Sequence, residues 1–156
     1  MGLITTAEQL AEAIVTDPER VAACLGRINR FGGQVPNCTV LRHSLEVYYR
    51  IDADPEASNG ARLWALLHDC HEILTGDVVR PYVNARLRMD QQAIDAVIVR
   101  RHREWVKMGL ERPRWRDFLQ EVERQLGRPV TEQAMRAHCL NTLRCMPREI
   151  FRYVGF

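Results

Sequence analysis

Leu66-Leu67-His68-Asp69-Cys70-His71-Glu72 sets two histidines, an aspartate and a glutamate at the end of an apolar run. The run predicts a helix from Ser58 or Asn59 through Leu63, Leu66, Leu67 and Ile73, closed by Gly76. Ionisable groups on such a segment are costly unless paired or bound to a metal. Glu72 follows His68 by four residues and Asp69 by three, so on a continuous helix the three share one side and can converge on one point. His43 lies in a second apolar helix, which Cys38 or Thr39 opens, with Val40, Leu41, Leu45, Val47 and Tyr48 at mostly helical spacing and an end near Asp52-Ala53-Asp54-Pro55. Imidazole and carboxylate donors together suit Mn²⁺, Co²⁺, Fe²⁺ or Zn²⁺. Taken singly, a histidine in an apolar helix is more often an ordinary core residue.

The rest of the chain is also helical in pattern. Thr5 or Thr6 caps a helix bearing Leu10, Ala13 and Ile14, and Asp17-Pro18 starts another, Val21 to about Ile28, which stops at Gly32-Gly33. After Pro81 a long stretch runs from Asn84 to Lys107, followed by Trp115 to Leu126 and, beyond Pro129, Thr131 to about Tyr153. No alternating stretch argues for a sheet, and no repeat or flexible linker divides the chain. Residues 1–156 are therefore expected to form one all-α domain of about six or seven helices.

Composition narrows the class. With 46% hydrophobic and 27% charged residues, the chain is an ordinary globular one rather than a disordered one. No run approaches the roughly 20 apolar residues of a membrane span, and no charged start with an apolar core argues for secretion. Cys24, Cys38, Cys70, Cys139 and Cys145 form an odd set without a C-x-x-C pair, which fits reduced thiols and a cytoplasmic location. Of the 22 basic residues only Lys107 is lysine. Up to Val78 the chain holds 6 Arg against 11 acidic residues, or −5; beyond it, 16 basic against 9 acidic, or +7. Guanidinium grips phosphate oxygens in pairs, although coding bias and solvated helix faces also produce such a count.

In order along the chain, Arg30-Phe31-Gly32-Gly33, His43-Ser44-Leu45, Leu66-Leu67-His68-Asp69, Glu72 and Gly76-Asp77 together resemble the HD-domain metal-dependent phosphohydrolases. The similarity is to small bacterial and phage members of the 5′-deoxynucleotidase and dNTP (dATP) triphosphohydrolase type, and it spans roughly Arg27 to Arg124. It implies a divalent metal (Zn²⁺, Co²⁺, Mn²⁺ or Mg²⁺) on His43, His68 and Asp69, with Asp117 as fourth ligand and Asp95 as the alternative. Arg116 departs from the small residue usual before the fourth ligand, and His71 departs from the small residues common at its place. His71 then belongs to the helix surface or supports the ligands from behind.

The same resemblance assigns Glu72 and Asp77 acid/base or water-positioning roles at the scissile phosphate, with a turn or cap role equally open for Asp77. Arg30, Phe31, Gly32 and Gly33 would contact substrate, followed by Arg27 and Arg80. The expected substrate is a (deoxy)nucleotide, in a homo-oligomer (dimer or larger) in a bacterial or phage-infected cytoplasm, with no membrane and no stable nucleic-acid partner. A cyclic- or signalling-nucleotide phosphodiesterase is a competing activity, lowered by the lack of further histidines at dinuclear spacing. A non-enzymatic, Arg-rich nucleic-acid-binding module is another reading, as is an interaction role for Trp64, Trp105 and Trp115.

Overall fold

Thr6, Asp17, Thr39 and Ser58 each accept a hydrogen bond from the backbone N–H three residues on, and each thereby starts a helix. In the computed structural model, which describes residues 2–79, 82–107 and 115–126, these helices are α1 (Ala7–Thr16), α2 (Pro18–Gly26), α3 (Val40–Asp52) and α4 (Asn59–Leu67). They are followed by the single turn α5 (Glu72–Thr75), by α6 (Ala85–Lys107), whose start Asn84 caps through Leu87 N–H, and by α7 (Trp115–Leu126). The described residues contain no strand, so the fold is all-α as expected. No described helix is long and apolar enough to cross a membrane. The helix expected over Thr131 to about Tyr153, and Arg80, lie outside the described residues.

Apolar side chains at helical spacing meet in one core. Leu10 and Ile14 of α1, Val21 and Leu25 of α2, Leu41 and Leu45 of α3, Leu66 and Leu67 of α4 and Phe118 and Val122 of α7 are fully or almost fully buried. α3 packs on α4, α6 on α1, and α7 across α2 and α4. Arg101 joins α6 to Glu12 of α1 at 3.0 Å, and Arg124 reaches Glu19 at 3.1 Å from α7. These exposed pairs set register more than stability.

Two segments depart from the sequence pattern. The helix predicted to run from Ser58 to Gly76 breaks at Leu67, because Cys70 N–H bonds Leu67 O at 2.9 Å and Glu72 N–H bonds Asp69 O at 3.0 Å. Those three-residue closures tighten the chain into turns through His68–His71 before α5 begins. Gly76 ends α5 at φ 73, as its place in the sequence implies.

The second departure is at Arg30–Gly33, where Phe31, Gly32 and Gly33 take φ of 56, 62 and 77 in succession. Two glycines make that left-handed run accessible, and Phe31 is held in it by a bond described below. The loop is pinched at its base by an antiparallel bridge between Asn29 and Thr39, with Arg30 N–H on Cys38 O at 2.8 Å and Val40 N–H on Ile28 O at 2.9 Å.

Among the described residues Phe118 is the largest fully buried side chain. Phe118→Ala should lower the unfolding free energy by about 3–5 kcal/mol, read from urea denaturation followed by circular dichroism; a loss below about 1 kcal/mol would mean that α7 is not docked here.

Candidate metal centre

The packing of α3 on α4 brings His43 to the turn that follows Leu67. There His43 Nε2 lies 3.3 Å from His68 Nε2 and 3.4 Å from Asp69 Oδ2, and His68 Nε2 lies 3.2 Å from the same oxygen. Two donors bound to one cation at about 2.1 Å each stand about 3.0–3.4 Å apart for angles between ~90° and ~110°. All three separations fall in that range. His43, His68 and Asp69 thus form a cluster that could hold a metal ion, and Asp69, His71 and Glu72 form a second that shares its aspartate.

Each imidazole is oriented by its other nitrogen. His68 Nδ1–H donates to the Ala65 carbonyl at 2.8 Å, which leaves Nε2 as the nitrogen presented to Asp69. His71 Nδ1 is 2.9 Å from Asp95 Oδ1, and its Nε2 faces Asp69 Oδ1 at 4.0 Å. His43 differs, because Arg30 Nη1 donates to its Nδ1 at 3.0 Å. A guanidinium can only donate, so the His43 proton sits on Nε2, inside the cluster. Cation binding at Nε2 therefore requires the other tautomer, and with it the release of Arg30 beside the site.

Charge follows the same geometry. Burial and the neighbouring Arg30 guanidinium push His43 down to about 3, so it is neutral at any working pH. Burial opposes ionisation of Asp69, but the hydrogen bond and charge of His68 lead the effects that outweigh it and hold the carboxyl well below its ordinary range. For His68, burial opposes the charged form, and the hydrogen bond and charge of Asp69 overcome it and raise the imidazole. Glu72 is raised to about 9 by burial and by the carboxylates of Asp69 and Asp77. A cation beside Asp69 reverses that balance and favours ionised Glu72.

Asp77 accepts the Phe31 N–H on Oδ2 at 2.9 Å. It ties the segment after α5 to the left-handed loop, and burial raises its carboxyl above the ordinary value. Arg30 also lies over the Phe31 ring, 4.7 Å from its centroid, so loop and guanidinium form one unit against His43. Gly32 and Gly33 supply the loop's backbone.

The structure does not bring every expected residue here. Asp117 is exposed in the first turn of α7 and belongs to neither cluster. Phe118 and Val122 point into the core, which turns Asp117 away by roughly 100–140° around the helix. The fourth ligand expected at Asp117 is thus not brought to the cluster. Asp95, the alternative, reaches the site behind His71 and is not itself one of the clustered donors. Arg27 caps the end of α2, exposed, in a separate groove with Asn37, Thr39 and Arg42. A cleft of about 550 Å³ is lined by Trp64, Arg100 and Asp95, the residue behind His71, and by none of the clustered donors.

Compared with family models, curated proteins and solved structures, the chain matches none.

Cation uptake would displace protons from His68, which is raised above its ordinary value, and from Glu72, which is raised to about 9, so apparent Mn²⁺ affinity should rise with pH up to about 9, with proton release visible in titrations run in buffers of different ionisation enthalpy. A flat profile would show that neither group meets the ion. Asp117→Ala should leave Mn²⁺ uptake unchanged, whereas His68→Ala should reduce it at least about tenfold; loss of uptake on Asp117→Ala would restore it as a ligand.

Proposed function

We propose that this chain is a divalent-metal-dependent phosphohydrolase of (deoxy)nucleotides. It either hydrolyses the 5′-phosphate ester of a deoxynucleoside monophosphate or releases triphosphate from a deoxynucleoside triphosphate such as dATP. The observation that carries this reading is the meeting of His43 Nε2, His68 Nε2 and Asp69 Oδ2 at 3.2–3.4 Å, with the Arg30 guanidinium bonded to His43 Nδ1. A phosphate ester is the substrate class that needs such a cation and a guanidinium side by side.

His43, His68 and Asp69 would hold the cation. A divalent ion there supplies polarisation of a phosphoryl oxygen and a water acidified toward neutrality. Arg30, once released from His43 Nδ1, binds the remaining phosphoryl oxygens and shares the charge that develops on them. Glu72 Oε2 is buried and has no hydrogen-bond partner among the described residues. We assign it to orient the attacking water, take its proton and pass that proton to the 5′ oxygen as the bond from phosphorus to that oxygen breaks. Asp77 keeps Phe31 and, through it, Arg30 in place. Phe31 is the side chain we assign to the nucleoside.

The test is turnover of a panel of nucleoside mono- and triphosphates by the purified chain with added Mn²⁺, Co²⁺, Mg²⁺ or Zn²⁺. Release of orthophosphate from monophosphates identifies a nucleotidase, and release of tripolyphosphate identifies a triphosphohydrolase. Asp69→Ala should abolish activity with helix content retained, and Arg30→Ala should raise KM roughly 10–100-fold, the worth of a charge-assisted hydrogen bond. No turnover with any metal would sink the proposal.

A further inference from the structure

Asp69 is approached from both sides. Its Oδ2 faces His43 and His68, and its Oδ1 faces His71 Nε2 at 4.0 Å, beyond hydrogen-bonding distance and within reach of a shared ion. His68 and His71 are prepared in the same way, each with Nδ1 tied to an oxygen at 2.8 or 2.9 Å and Nε2 turned to the carboxylate. A carboxylate behind an imidazole is the arrangement that orients metal-bound histidine, and Asp95 supplies it to His71. His71 is buried at 8% exposure, so it is not a solvated helix-surface residue. Glu72 supplies a carboxylate oxygen to the same group of donors.

We infer that Asp69 bridges two divalent cations, the second held by Asp69 Oδ1, His71 Nε2 and a Glu72 oxygen, with Asp95 as the residue that positions His71. The inference rests on the proposed cation at His43, His68 and Asp69, and it deepens that reading. Glu72 gives one oxygen to the second ion and keeps the other for the attacking water. Two cations on one carboxylate then share the charge of the phosphoryl group. The ligand class is a first-row divalent ion that accepts mixed nitrogen and oxygen donors, Mn²⁺ being the probe of choice.

The test reads metal, not turnover. Mn²⁺ titration of the full chain, followed by electron paramagnetic resonance, should reach two ions per chain with an exchange-coupled spectrum. His71→Ala and the near-isosteric Glu72→Gln should each bind one ion with an uncoupled spectrum, while circular dichroism confirms the helical fold. Asp95→Asn should weaken the second ion by about 10–100-fold and spare the first. Saturation of the unaltered chain at one ion, or two coupled ions retained in both His71→Ala and Glu72→Gln, would overturn the inference and leave the first site standing. No bound Mn²⁺ at all would overturn the first site and the inference together.

Discussion

A carboxylate removed from bulk water cannot stay ionised unless the fold surrounds it with partners, and Asp69 is such a carboxylate. Three imidazoles meet it from separate places: His43 from α3, His68 from the end of α4 and His71 from the start of α5. The partners depend on the packing of α3 against α4, while α6 contributes Asp95 behind His71. Core and site are therefore not independent. Leu41, Leu45, Leu66 and Leu67, which bury the α3–α4 contact, also set the distance between His43 and His68. An error of an ångström in that packing would separate donors that now stand at 3.2–3.4 Å.

The loop Arg30–Gly33 carries the second constraint. Its left-handed course at Phe31 would be unfavourable in isolation. The Asn29–Thr39 bridge closes its base, and Asp77 takes the Phe31 N–H from a segment 46 positions away. The result is a guanidinium delivered to the back of His43, where its donor-only chemistry dictates the imidazole tautomer. Cation and guanidinium therefore compete for the same imidazole through its two nitrogens. On the proposed function, a bound cation would free the arginine from His43 to meet substrate. Arg62, Arg101 and Arg124 pair instead with carboxylates away from the cluster. Of Arg27 and Arg30, the two phosphate-binding candidates among the described residues, Arg30 is bonded to a candidate ligand.

Much of this was legible in the chain itself. Caps at Thr6, Asp17, Thr39 and Ser58, apolar residues at helical spacing and the glycine stop at Gly76 act within a few residues of one another, so the all-α class follows from local chemistry. The His-Asp pair and His43 were legible for a related reason, being ionisable groups on segments too apolar to carry them unpaired. Other features required distances that no spacing encodes. α4 breaks at Leu67 because three-residue closures replace the helical pattern there, and those turns place His68 and His71 on opposite oxygens of Asp69. Asp117 had a plausible separation from the ligands, but Phe118 and Val122 claim the inward face of α7 and leave it outside. Likewise Asp95 and Asp77 find their partners across 24 and 46 positions, through contacts between separate elements. Helix formation and the presence of candidate ligands are decided by neighbours in the chain. Which carboxylate backs which histidine, and which aspartate faces solvent, is decided only when the helices pack.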